Sequence, residues 1–402
     1  MTERLFYRDS HLAKTEAVVL SCRQAGDGYA VVLDRTILFY NGGGQPCDYG
    51  TIGDAAVTDV REENGEIVHF TDRSVEAGTT VTVLLDWDRR FDFMQQHTGE
   101  HLLSYAIYRL FGLHNVGFHL AESYATIDFD RPLSRENLAE AEDFANRLIW
   151  ADLPVHAEFY DTEEEVRALP LRKQAEGISL PIRVVSIEGA DACTCCAPHC
   201  TRTGEIGLVR IMDSMAYKGG SRLTFFCGKR AALLARKEHE ILDTAARSFS
   251  CSREDVIAAL EKQQEELSRI KRDSRQMMQE LDRILAAELV QKQEVLKHCD
   301  LICGRIRPMD GGRLKSLAQM CLSDRTLAVL FSDSGDGLNY VVASGEKISE
   351  DSGELIQAVN AATGGKGGGR GHLAQGRAVS CPAAEETVQQ VKEYLIRRFG
   401  SK

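Results

Sequence analysis

Two motifs far apart in the chain each carry a pair of good zinc ligands. They are His97 and His101 in Gln95-Gln-His-Thr-Gly-Glu-His-Leu-Leu103, and Cys195 and His199 in Cys195-Cys-Ala-Pro-His199. Zinc takes four tetrahedral nitrogen and sulfur donors. If both pairs serve one ion, the fold must bring the neighbourhood of residue 97 against that of residue 195. Residues four apart on a helix share a face, with Cβ atoms about 5–6 Å apart, so the two imidazoles of a helical His97 and His101 converge. Pro198 separates Cys195 from His199 and puts that pair on a loop or bent turn. Cys193, Cys195, Cys196 and Cys200 crowd the same loop, and spacing alone does not choose among them. Four protein ligands favour a structural or substrate-positioning metal, because a catalytic zinc usually keeps one position open. His97-Thr-Gly-Glu-His101 also fits H-x-x-E-H, a zinc-peptidase pattern in which the glutamate is the base. A Cys-x-x-x-His loop argues against that alternative, since zinc peptidases seldom use thiolates.

A chain of 402 residues is too long for one core and implies several domains. Hydrophobic residues at 43% and charged residues at 27% describe a soluble globular protein. No apolar run is long enough to span a bilayer, and Met1-Thr-Glu-Arg-Leu-Phe-Tyr lacks a signal-peptide core, so a cytoplasmic location is expected. The twelve cysteines then read as thiols or metal ligands rather than disulfides. A net charge of −12 argues against a general nucleic-acid coat. Only residues 304–402 hold more basic than acidic side chains, so a polyanion would be met there.

The pattern along the chain predicts an α+β multidomain protein. In residues 1–90, short apolar runs (Ala17–Leu20, Tyr29–Leu33, Thr36–Tyr40, Ile67–Phe70, Val81–Leu85) alternate with Gly, Asp and Asn turns, as in a small β-barrel. Residues 91–229 mix a helix over Asp92–Phe111, a second helix capped by Ser134, and strands at Ala125–Phe129, Ile182–Ile187, Ile206–Met212 and Leu223–Phe226. Residues 230–300 are almost free of Gly and Pro. Leu260, Leu267 and Leu281 share one heptad position and Ile270, Met277 and Ile284 another, consistent with a helical hairpin or a dimerising coiled coil. Residues 301–402 alternate strands and helices around Gly364-Gly-Lys-Gly-Gly-Gly-Arg-Gly-His372, read as a glycine-rich loop in an α/β domain.

The Gln95–Leu103 motif, with the Cys-x-x-x-His loop running into Thr203-Gly-Glu-Ile-Gly207, resembles the editing domain of alanyl-tRNA synthetases and their free-standing AlaX-type relatives. Tyr40-Asn-Gly-Gly-Gly-Gln-Pro46 with Asp48 and Gly50 is similar to the glycine-rich motif of that family's N-terminal barrel. Lys218–Gly228 resembles the strand closing the editing domain, and Gly364–Arg370 with Ala374-Gln-Gly376 resembles the DHHA1-type C-terminal domain. The motifs occur in the family's order over nearly the whole chain. The long AlaX form, without an aminoacylation domain, is the best match.

The resemblance implies zinc ligands His97, His101, Cys195 and His199. It places Gly42, Gly43, Gly44 and Gln45 near the mouth of the site, where a tRNA 3′ end approaches. It implies hydrolysis of the ester of a misacylated tRNA-Ala, serine first and glycine second. Glu100, beside the metal pair on the same helix, is the candidate base, and Thr98 or a zinc-bound water is the candidate contact for the serine hydroxyl. Lys366 and Arg370 would meet tRNA phosphates. Two departures stand out. Glu100 occupies a position that often holds a hydroxyl residue, and gapless alignment sets Gly117 and Leu120 where the family has polar residues. The loop also reads Cys-Cys-Ala-Pro-His in place of Cys-Gly-Gly-Thr-His. A different class of reading is an RNA-binding protein whose zinc is purely structural.

Overall fold

The alternating apolar runs near the N-terminus become six antiparallel strands that close on themselves. In the computed structural model, which describes residues 2–174, 180–335, 337–381 and 383–400, their order is Lys14–Ala25, Gly28–Leu33, Glu66–Thr71, Ala55–Glu63, Gly50–Ile52 and Thr80–Leu85, the last pairing with the first. Val19, Val31, Leu33, Ile52, Val60, Ile67 and Val83 fill the inside, as side chains must in a barrel this small. Ile37–Tyr40, expected as part of a strand, is not one. Its backbone is claimed by side chains instead: Thr36 Oγ1 accepts from Leu38 N, Asp48 Oδ2 accepts from Phe39 N, and Arg90 donates to the Ile37 carbonyl. Ile37, Leu38 and Phe39 are nonetheless fully buried, which explains the apolar run.

The barrel runs directly into a helix, Trp87–Phe111, started by the Asp86 side chain accepting from Arg89 N and ended at Gly112 with φ +65°. Fifteen of its residues are buried, spread all around the helix, because it is the centre of its domain. One side meets a four-stranded sheet in the order Val209–Tyr217, Gly220–Cys227, Ala125–Phe129, Asn115–Leu120. Helix Arg135–Trp150 packs elsewhere on it, opened by a capping box between Ser134 and Asn137. A Cβ on Gly99 would lie 2.2 Å from Cys227 Sγ, so only glycine allows this approach. Gln96 completes the seam: its amide donates to the Cys227 carbonyl at 3.0 Å and accepts from Cys227 N at 2.7 Å. The strand expected to start at Ile206 starts at Val209, because Thr203–Ile206 is a turn of 3-10 helix. A three-stranded sheet, Val155–Tyr160, Ile182–Ile187 and Ala192–Thr194, carries the cysteine loop.

Barrel and helix domain share one compact unit, residues 1–248, and residues 249–402 form another. Residues 230–300 supply helices Gly228–Phe249 and Val256–Gln291. On the second of these Leu267, Ile270, Met277 and Ile284 are more than half exposed. In the second unit a six-stranded sheet is covered on one face by helices Ser352–Thr363 and Ala384–Gly400. Its other face takes Gly311–Met320 and the end of the long helix, which Asp282 ties to Arg313. The glycine run expected as a loop is instead an edge strand, Lys366–Arg370, hairpinned to Leu373–Ala378. Gly367 pairs with Gly376, and a Cβ on Gly367 would lie 2.5 Å from Gly376 Cα. Glycine here permits tight strand pairing rather than flexibility. Among the described residues no helix is long and apolar enough to cross a membrane.

Candidate metal centre and its cavity

Helical spacing sets His97, Glu100, His101 and Ser104 on one face of Trp87–Phe111. The cysteine loop closes over that face. Cys195 Sγ stands 3.5 Å from His97 Nε2, and His199 Nε2 stands 3.2 Å from His101 Nε2. All four donor atoms lie within 4.8 Å of one another. Tetrahedral donors at zinc distances of ~2.0–2.3 Å are separated by about 3.3–3.6 Å, so the donor set fits zinc. His97 Nδ1 bonds Gln45 Oε1 at 3.0 Å and His199 Nδ1 bonds the Ala197 carbonyl at 2.8 Å. Each bond fixes the proton on Nδ1 and leaves Nε2 as the free lone pair. His101 turns its Nδ1 toward Asp191, 3.5 Å away, and Asp191 is gripped in two-pronged fashion by Arg172 at 2.6 and 2.8 Å. That carboxylate orients the imidazole and raises its basicity.

Burial pushes His97 and His199 well below the ordinary imidazole range, helped by the neighbouring His101. His101 is lowered by burial as well, against the pull of Glu100 and Asp191. All three imidazoles therefore stay neutral, the state a metal needs. Burial of the Cys195 thiol, with Cys196 beside it, pushes it up to about 12, so metal entry must expel its proton.

The loop that carries Cys195 is held from behind by Arg183. Its Nη1 donates to the carbonyls of Cys195 at 2.9 Å and Ala197 at 2.8 Å. Cys195 N in turn donates to the Arg183 carbonyl, extending the sheet to the metal loop. The Gly42–Gln45 turn closes through two backbone hydrogen bonds, with Gly43 and Gly44 at φ +60° and +80°. A Cβ on Gly43 would sit 3.0 Å from Cys196 Sγ, so the turn and the metal loop touch. Behind the turn a fully buried Arg90–Asp48 ion pair joins barrel to helix, with Arg90 also donating to the Ser10 and Ile37 carbonyls.

The metal cluster forms the wall of an 830 Å³ cavity. Around it stand Arg4, Arg172, Lys173 and Arg183, two carboxylates, Glu62 and Glu100, and the rings of Tyr7, Tyr40, Phe118 and Phe159. Glu100 Oε1 accepts from Ser104 Oγ at 2.6 Å and from Asn115 Nδ2, while Oε2 faces His101 Nε2 at 3.8 Å. Asn115 Oδ1 is met by Lys173 Nζ at 3.3 Å.

Of the residues expected from sequence, His97, His101, Cys195, Glu100 and Gly43 line this cavity, His199 joins the donor cluster beside His101, and Gln45 stands behind His97. Thr98 does not join them. It points off the His97 face, is fully buried, and accepts from Cys200 N at 3.0 Å. Lys366 and Arg370 are exposed on their edge strand in the second unit. Asn115, Arg172, Asp191 and Arg183 were not foreseen. Asn115 was hidden by a β-bulge: Phe129 pairs with Asn115 although Asp128 pairs with Gly117, so Val116 is extra. Asn115 thereby takes the face of Phe118 and lines the cavity. Cys193, with Sγ 3.5 Å from His101 Nδ1 and Asp191 nearby, is a second thiol beside the site. For Arg183, a lone charge inside Ile182-Arg-Val-Val-Ser-Ile187 was the available signal.

Comparison with known proteins agrees with this geometry. Residues 182–224 match the family described as the threonyl and alanyl tRNA synthetase second additional domain. The alanyl-tRNA editing protein AlaX-L of Pyrococcus horikoshii is 31% identical over 95% of this chain and 96% of its own length. An alanyl-tRNA editing protein of Rattus norvegicus is 28% identical over 97% and 98%. The alanine–tRNA ligase of Pyrococcus abyssi is 30% identical over 98% of this chain, which spans only 44% of the ligase. At 31% identity to an editing protein over 95% of this chain and nearly the whole length of that relative, the chain belongs to the alanyl-tRNA editing protein family.

Proposed function

We propose that this protein is a trans-editing hydrolase that removes wrongly attached amino acids, serine first and glycine second, from tRNA-Ala. The observation that carries the reading is the convergence of His97, His101, Cys195 and His199 in one cluster, three of whose members line a cavity with more cations than carboxylates. These four residues would hold zinc, which would supply a Lewis acid for the ester carbonyl or for the substrate's amine or hydroxyl. The chain's own groups do the rest. Glu100, pinned through Oε1 with Oε2 toward the metal side, takes the proton of the attacking water. Ser104 and Asn115 hold it in that attitude. Gln45 and Asp191 keep His97 and His101 turned correctly. Thr98, one step round the helix, steadies Cys200 rather than reading the serine hydroxyl.

The four segments 1–90, 91–229, 230–300 and 301–402 are read as barrel, editing domain, helical linker and tRNA-binding domain. Lys366 and Arg370 are assigned to phosphate contact, which their exposure supports. The exposed apolar row on Val256–Gln291 is the surface through which a homodimer would form. A cytoplasmic location follows from the substrate.

The test offers purified protein Ser-tRNA-Ala, Gly-tRNA-Ala and Ala-tRNA-Ala. Serine release without alanine release is expected, abolished by His97→Ala and slowed at least a hundredfold in kcat by Glu100→Gln. Intact tRNA binding with no release from any substrate would transfer the protein to the RNA-binding class with a structural zinc. Peptide cleavage would instead favour the peptidase.

A further inference from the structure

Among the described aromatic residues that line the cavity, Phe159 is the most exposed. Tyr40 is overlain by the Arg4 guanidinium, 5.4 Å from its centroid, and Tyr7 by that of Arg183 at 5.2 Å. Phe159 lines the same cavity but is 47% exposed, an unusual state for phenylalanine on a strand. Tyr7 braces it in a T-shaped pair, with centroids 5.4 Å apart and planes at 71°. Register fixes where this ring stands relative to the metal. Phe159 on Val155–Tyr160 lies directly opposite Arg183 on Ile182–Ile187, and Cys195 continues the ladder on the far side by donating to the Arg183 carbonyl. Cross-strand partners share a face. Phe159, Arg183 and Cys195 therefore form a row across the sheet, and two strand spacings set the ring roughly 10 Å from the thiol ligand. An aminoacylated nucleoside spans such a gap, from the ester carbonyl across the ribose to the base.

We propose that Phe159 is the stacking platform for the nucleobase of the terminal nucleoside that carries the ester, an assignment that rests on the deacylase reading of the metal site. Arg183 backs the ribose between platform and metal, and Arg4 stands at the same cavity wall as a cation for the adjoining phosphate. Aromatic stacking is how proteins hold unpaired bases without reading their edges. It suits a site that must accept the common end of a tRNA while leaving amino-acid choice to the metal side.

The experiment measures steady-state serine release from Ser-tRNA-Ala by wild type, Phe159→Ala and Phe159→Trp, with adenosine monophosphate as competitor. Serine release by the wild type keeps the deacylase reading standing whatever the variants do. The stacking role predicts a KM raised roughly tenfold in Phe159→Ala, with kcat within twofold of wild type. Competitive inhibition by adenosine monophosphate should weaken in parallel, and Phe159→Trp should restore both. Unchanged KM and unchanged inhibition in Phe159→Ala would overturn the proposal. So would a loss confined to kcat, or failure of tryptophan to rescue.

Discussion

At the scale of single residues, the site is held by groups that never face the cavity. Arg90 and Asp48 show this most clearly. Both are fully buried, and their contact locks the glycine turn of the barrel onto the helix that bears His97. Removing one partner strands a buried charge. Asp48→Ala should therefore cost about 3–5 kcal/mol, far more than deletion of a surface ion pair. Urea unfolding of the purified variant checks this, and a loss below about 1 kcal/mol would show that Arg90 finds other acceptors. Sequence reading singled out the four residues that cluster as candidate ligands because ligand chemistry is local: it depends on residue type and on i, i+4 spacing. It missed Asn115, because a bulge at Val116 reverses side-chain alternation and leaves no mark in a residue count. It included Thr98, whose neighbour His97 joins the candidate cluster but whose own direction is about 100° round the helix.

At the scale of elements, glycine has a different meaning in each motif. In Gly42–Gln45 it permits left-handed backbone beside Cys196. In Lys366–Arg370 and its partner it makes room for another strand and for Tyr340. A Cβ on Gly376 would lie 2.3 Å from the Tyr340 ring, whose hydroxyl is already committed to Asn360 at 2.6 Å. Gly376→Ala should thus overpack the C-terminal sheet and lower its stability by about 1–3 kcal/mol. A melting transition unmoved by this change would mean the hairpin yields, and that close packing is not why glycine stands there. The strand was read as a loop because a glycine run carries no alternation. Its pairing comes from backbone contacts with Leu373–Ala378, which side-chain patterns do not encode.

At the scale of the whole molecule, the buried histidines are unevenly distributed. His69, His97, His101 and His199 are buried in residues 1–248, whereas His298 and His372 of the second unit are exposed. Burial lowers His69 to about 4, and lowers the other three as well. A histidine whose folded pKa lies below its unfolded value of ~6.5 favours folding fully above that value, and the contribution is lost as pH falls. For His69 alone the window runs from ~6.5 to about 4, and the full loss is on the order of 3 kcal/mol. Chelator-treated protein scanned between pH 7 and 4.5 should show the transition of the first unit falling steeply while that of the second moves little. Parallel shifts of both would refute the assignment of acid sensitivity to these imidazoles.

By itself the sequence determined the candidate ligand set and most helices and strands, since these rest on residue type and short-range periodicity. Ile182–Ile187 and Ala125–Phe129 lie where their alternation puts them. Only the tertiary structure decided which side chains meet: that Gln45 of the barrel braces His97, that Asp191 turns His101, and that Phe159, Arg183 and Cys195 stand in one row. Those relations depend on strand register, a bulge and the packing of one helix into a sheet. Such contacts join residues distant in the chain, where composition and spacing carry no trace of them.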